Sequence, residues 1–157
     1  MILILMGVSG SGKSTIGGPL AARLGFPFLD ADEFHPPENV AKMAAGIPLT
    51  DDDRQPWLER LNRELRSRKK AVLACSALKQ SYREILTRDI RAPVFVFLKG
   101  EIELIRSRLA NRKHRYMPAS LLESQFATLE PPADAIELDI AQPPERCVEA
   151  ILRALGR

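Results

Sequence analysis

Short apolar runs alternate along the chain with longer stretches in which apolar residues recur every three to four positions. The runs occupy residues 2–6, 26–29, 71–75, 94–98 and 135–140. Four of them are apolar throughout or nearly so, the pattern of strands buried on both faces. The fifth carries Glu137 and Asp139 and reads as an edge. Trp57, Leu58, Leu61 and Leu65 follow the i, i+3, i+4 spacing of an amphipathic helix, and 80–89, 101–112, 119–129 and 143–155 repeat that pattern. Alternation of buried strands with helices predicts an α/β fold, a parallel sheet covered by helices. No linker, low-complexity tract or internal repeat interrupts it, so one domain over 1–157 is expected.

Composition narrows the function classes. The 157 residues are 27% charged and 45% hydrophobic, enough to bury roughly two-thirds of the unfolded chain's surface without a disulfide or structural metal. Cys75 and Cys147 stand far apart in apolar surroundings, without the spacing of a zinc site, and are expected to be reduced core thiols. The net charge of +3 comes from 23 basic and 20 acidic residues interspersed along the chain, which suits a small anionic ligand as well as a nucleic acid. The apolar run at 2–6 is too short for a signal sequence, and no stretch approaches the ~20 apolar residues of a membrane span. The expectation is a cytoplasmic protein with a small-molecule partner, no nucleic acid and no membrane; a homodimer is compatible with it.

Gly7-Val8-Ser9-Gly10-Ser11-Gly12-Lys13-Ser14 matches G-x-x-x-x-G-K-S/T directly after the first expected strand, with Thr15 continuing into a helix. Glycines let the backbone turn its N–H groups around phosphate oxygens, and the helix behind them presents its positive end. Lys13 supplies a point charge to the β and γ phosphates, and Ser14 a hydroxyl to Mg²⁺. A nucleoside triphosphate is therefore expected, but the loop alone does not separate kinase from GTPase or mechanical ATPase. The third run ends Ala74-Cys75-Ser76-Ala77, without the carboxylate that most NTP hydrolases place there. The second leads into Asp30-Ala31-Asp32, whose carboxylates, two residues apart, project to one side in extended geometry. One would serve the metal's water shell and the other an acceptor hydroxyl; a solvated acidic turn is the alternative.

At this point the residues resemble the gluconokinases, in particular the short thermoresistant type. The resemblance covers nearly the whole chain. It is carried by the phosphate loop, by Asp30-Ala31-Asp32-Glu33-Phe34-His35-Pro36-Pro37-Glu38-Asn39, by Lys42-Met43-Ala44-Ala45-Gly46-Ile47-Pro48-Leu49, by Asp51-Asp52-Asp53-Arg54-Gln55-Pro56-Trp57-Leu58, by Cys75-Ser76-Ala77-Leu78-Lys79 and by Ser124-Gln125-Phe126. It implies phosphorylation of D-gluconate by ATP with Mg²⁺. The implied fold is a three-layer P-loop NTPase fold, a five-stranded parallel sheet with helices on both faces and a short lid, similar to shikimate and nucleoside monophosphate kinases. Lys13 and Asp32 are then the catalytic pair, with Ser14 and Asp30 on the metal side.

Physical reading of the same segments adds the substrate candidates. Thr50 or Asp51 can cap a helix whose first turn holds Asp52 and Asp53, a placement that suits the macrodipole. Arg54 opposes that dipole. Pairing with Asp51 or Asp53 accounts for it as well as a substrate role does, and the resemblance favours the substrate carboxylate. Lys79 opens the helix after the third strand, where parallel sheets bind ligands, and Arg83 lies one turn later on the same face. His35, ahead of two prolines, could reach substrate hydroxyls or pack on a helix.

Arg112-Lys113-His114-Arg115 ends a helix before Pro118, where basic residues suit the C-terminal dipole. The resemblance makes 112–118 the lid, with Arg112 over the nucleotide. His114 and Arg115 stand where the family reads Gly and His. Gln142-Pro143 resembles the loop that cups adenine. Pro19, inside the helix after the phosphate loop, predicts a kink. The rival readings are a kinase for another small polyol acid such as shikimate, and a nucleotide-binding regulatory ATPase.

Overall fold

The computed structural model describes residues 1–111 and 119–157. The lid expected over 112–118, with Arg112, His114 and Arg115, lies outside the described residues. The chain order is β1 (Ile2–Met6), α1 (Lys13–Leu24), β2 (Phe28–Asp30), a 3-10 turn (Ala31–Phe34), α2 (Pro37–Ala44), α3 (Asp51–Arg66), β3 (Ala71–Ala74), α4 (Gln80–Leu86), β4 (Val94–Lys99), α5 (Ile102–Ala110), α6 (Ala119–Thr128), β5 (Ile136–Asp139) and α7 (Pro144–Ala154).

The five strands form one sheet in the order β2-β3-β1-β4-β5, and every neighbouring pair is parallel. Helices cover both faces, with α1 against α7 and α3 against α4. All residues of β1 and β3 are buried, as their unbroken apolar runs require. β1 lies between β3 and β4: the chain leaves β1 for β2 at one edge, and the later connection from β3 to β4 crosses β1 to the other side. That arrangement opens a crevice at the carboxyl end of β1, where the phosphate loop begins.

β5 is an edge, as its two acidic residues predict, but β2 is the other edge and only half-buried. Its apolar run was expected to be covered on both faces and to start at residue 26. Instead Gly25 ends α1 with φ 71°, and the Phe26 N–H reaches the Ala21 carbonyl (2.9 Å) in a Schellman turn. Pro27 then has no N–H for the ladder, so pairing with β3 starts at Phe28. The 3-10 turn and α2 are too short to show a period in sequence. α4 ends three residues before the expected 89, and Asp89 has a positive φ of 61°.

α1 continues as helix through Pro19, whose exposed position lets water serve the carbonyl that loses its donor. The two glycines before it differ. A Cβ on Gly17 would lie 2.6 Å from Phe28 Cε1 and 3.0 Å from Leu5 Cδ1, whereas one on Gly18 meets nothing within 4 Å. Gly18→Ala is expected to stabilise by roughly 0.5–1 kcal/mol through helix propensity. Gly17→Ala should destabilise by about 1–3 kcal/mol through overpacking. Urea midpoints that move in the same direction would contradict this packing of α1 on the sheet.

Candidate active site

The phosphate loop turns from β1 into α1 through positive φ values at Gly10 (83°) and Gly12 (96°). A Cβ on Gly10 would also meet Leu109 Cγ at 2.9 Å, so glycine is required there on two counts. Gly12 caps α1 without a side chain, and no acidic residue occupies the first turn, which leaves the positive helix end to an anion. Lys13 curls back along the loop, its Nζ donating to the carbonyls of Gly7 and Val8 at 3.0 Å each. The Gly7 N–H is anchored on the Ser76 carbonyl, Val8 and Ser11 are buried, and Thr15 is exposed. At the loop's tip the Ser9 N–H donates to Gln125 Oε1 (2.7 Å), and Gln125 Nε2 donates to Ser9 Oγ (3.2 Å).

Asp30 and Asp32 do share one side, but not through strand alternation. Asp30 ends β2 and caps the 3-10 turn, its Oδ1 accepting the Asp32 N–H at 3.0 Å. Its Oδ2 accepts from Ser14 Oγ at 3.4 Å. That hydroxyl–carboxylate pair fits Mg²⁺, which takes one or two protein ligands and completes its shell with water and phosphate oxygens. Among the described residues no group of three or more His, Cys, Asp or Glu is placed to hold a metal ion.

The opposite wall is built on α2 and α3. His35 stacks on Trp57, ring centroids 4.0 Å apart at 13°, and the Trp57 indole N–H donates to the Ala31 carbonyl (2.8 Å). Burial pushes the His35 imidazole down to about 4, against the pull of Asp32 and with help from Arg54, so the ring is neutral at pH 7. Thr50, rather than Asp51, caps α3 through a reciprocal box with Asp53. Lys42, 2.7 Å from Asp53, and the Thr50 N–H hold the Asp53 carboxyl down to about 2.

Arg54 therefore pairs with neither aspartate directly. Its Nη1 donates to the Leu49 carbonyl (2.7 Å) and Tyr82 hydroxyl (2.9 Å), and the guanidinium lies 5.0 Å from the Tyr82 ring centroid. The Tyr82 hydroxyl in turn donates to Asp51.

A cleft of about 590 Å³ joins the two walls, lined among others by Lys13, Ser14, Asp30, Asp32, His35 and Arg54. Lys79 does not line it: its ammonium reaches Asp51 Oδ1 at 3.3 Å and sits 5.5 Å from the Tyr82 ring centroid. Arg83, expected one turn along the same ligand face, does not line the cleft either. It is buried, donating to the carbonyls of Ala77 (2.6 Å) and Glu130 (2.9 Å) and to Gln80 Oε1 (3.2 Å). These bonds tie the strained turn before α4, where Ala77 has φ 45°, to the segment after α6. Gln142 follows β5, half-exposed and outside the cleft lining, with its carbonyl 4.0 Å from Cys147 Sγ. Both cysteines are free and buried, and burial pushes the Cys75 thiol up to about 12.

Sequence reasoning missed Trp57, Asn39, Tyr82 and Gln125. Trp57 reads as a core position by period, and Tyr82 as one of a helix face. Asn39 and Gln125 lie inside the resembling segments but have no chemistry of their own to flag them. Among the described residues no helix is long and apolar enough to cross a membrane.

A family model described as shikimate kinase matches residues 9–150. The thermosensitive gluconokinase of Escherichia coli (strain K12) is 45% identical over 161 residues, covering 95% of this chain and 86% of that protein. The thermoresistant gluconokinase of the same organism is 42% identical, covering 99% and 94%. The crystal structure of a gluconokinase from Sinorhizobium meliloti 1021 superposes with a TM-score of 0.91 at 45% identity, covering 99% of this chain and 91% of that one.

Proposed function

The chain belongs to the gluconokinases, kinases of the shikimate kinase fold, and from that premise we propose that it transfers the γ-phosphoryl group of ATP to D-gluconate. The observation that carries this reading is a single cleft with the phosphate loop on one wall and Asp32, His35 and Arg54 on the other. The loop amides and the N-terminus of α1 receive the phosphates, and Lys13 counters charge on the β and γ groups. Gluconate is a polyol with one carboxylate. Arg54, already oriented by Tyr82 and Leu49, offers that carboxylate a planar fork of N–H donors. His35 addresses a hydroxyl.

In the reaction the acceptor hydroxyl oxygen attacks the γ-phosphorus and its proton passes to the Asp32 carboxylate. The bond from γ-phosphorus to the bridging oxygen breaks, its electron pair leaving with ADP. Ser14 and Asp30 would hold Mg²⁺, which supplies charge neutralisation at the β and γ phosphates. On the nucleotide side Arg112 and Gln142 remain candidates for covering ATP, and Lys79, which shares the Tyr82 ring with Arg54, is the candidate second cation at the acceptor end.

A coupled assay of ADP release over gluconate, related aldonates, glucose, shikimate and nucleoside monophosphates tests the reading. Gluconate is expected to be preferred. Losing one charge-assisted hydrogen bond costs ~1.5–3 kcal/mol, so Arg54→Ala should raise the gluconate KM roughly ten- to a hundredfold with little change in the KM for ATP. Equal activity on glucose would contradict a carboxylate pocket. Nucleotide hydrolysis unstimulated by any acceptor would favour the regulatory ATPase.

A further inference from the structure

We infer that Asn39 is a positioning residue that holds His35 in its Nε2–H tautomer, so that the imidazole donates a hydrogen bond to the acceptor and proton abstraction is left to Asp32. The inference rests on the reading of the cleft as an acceptor site. Asn39 lies in the first turn of α2 and is 3% exposed. Its Nδ2 stands 2.9 Å from the Asp53 carbonyl oxygen and 3.2 Å from His35 Nδ1.

The tautomer follows from what each atom can do. The Asp53 carbonyl can only accept, so the amide atom facing it must be the NH₂ group; an oxygen there would set two acceptors against each other. One N–H is thereby committed to Asp53. The other meets His35 Nδ1, which must accept it and so carries no proton. A neutral ring with an unprotonated Nδ1 has its proton on Nε2. The stack on Trp57, itself bonded to Ala31, fixes the plane of the ring, and the contact with Asn39 sets which edge faces it. With Nδ1 occupied and Nε2 already protonated, His35 has no site for a proton from a substrate hydroxyl. Asp32, in the same cleft, has a carboxylate that can take it.

The chain has two histidines, His35 and His114, so ¹⁵N-histidine labelling shows two imidazoles, and His114→Gln assigns them. At pH 7 without substrate, His35 is expected to show an unprotonated-type shift at Nδ1 and a protonated-type shift at Nε2. An Nδ1–H tautomer or an imidazolium overturns the inference. No acceptor is present in that measurement, so it stands or falls separately from the choice of gluconate.

Asn39→Asp keeps the shape but offers only acceptors. It is expected to draw the proton to Nδ1 and raise the gluconate KM roughly tenfold at constant ATP KM. A folded variant that retains the Nε2–H tautomer overturns the inference. Should that variant not fold, His35→Gln, whose amide N–H can stand in for Nε2–H, should raise the gluconate KM at least about threefold less than His35→Glu, which only accepts. The reverse order also overturns it.

Discussion

Lys13→Ala is expected to fold normally and to lower kcat by at least ~10²-fold, because the lost charge acts on the transferring phosphoryl group. The fold should tolerate it, since the bonds of Lys13 Nζ to the Gly7 and Val8 carbonyls lie at a partly open loop. A ground-state effect alone would appear as a raised KM for ATP with kcat preserved, so the split between the two constants identifies the role. Thermal denaturation followed by circular dichroism, beside steady-state kinetics, makes the comparison. Unchanged turnover in a folded variant would remove the phosphate-loop assignment.

Asp32→Asn should lower kcat by about 10²–10⁴-fold with a smaller effect on ATP affinity, because the amide keeps the shape and cannot accept a proton. The geometry separates it from Asp30. Both line the cleft, but Asp30 bonds Ser14 Oγ, the hydroxyl proposed for Mg²⁺, whereas Asp32 sits on the 3-10 turn with its charge acting on His35. Asp30→Asn is accordingly expected to raise the Mg²⁺ concentration needed for half-maximal rate. Magnesium titrations of both variants at saturating ATP and gluconate compare them directly. If Asp32→Asn shifts the Mg²⁺ requirement and Asp30→Asn mainly lowers kcat, the division of labour between the carboxylates is reversed.

The legibility of the site followed the kind of signal each residue carries. Lys13, Ser14 and the loop glycines form a local motif whose function depends on backbone turns of a few residues, so adjacency in sequence suffices. Arg54 was visible as a cation in the wrong place on the helix dipole. Its partner was not, because Tyr82 lies 28 residues away on another helix and nothing local couples them. Arg83 shows the opposite case. Its spacing from Lys79 suggested a shared ligand face, but the carbonyls of Ala77 and Glu130 claim the guanidinium, and only packing brings Glu130 to it.

The sequence by itself determined the class of the fold, the phosphate loop and the family. Short apolar runs bounded by turns suit strands covered on both faces, amphipathic stretches suit helices half-buried against them, and G-x-x-x-x-G-K-S acts through its own backbone. The tertiary structure decided which strands are edges, leaving β2 half-buried despite its apolar run. It brought Asp30 to Ser14, freed Arg54 from its neighbouring aspartates by giving Asp53 to Lys42, and set Asn39 between Asp53 and His35. These are contacts between elements. Their energies depend on distances that no local pattern encodes, so the protonation and orientation of the site's side chains exist only once the sheet has closed around them.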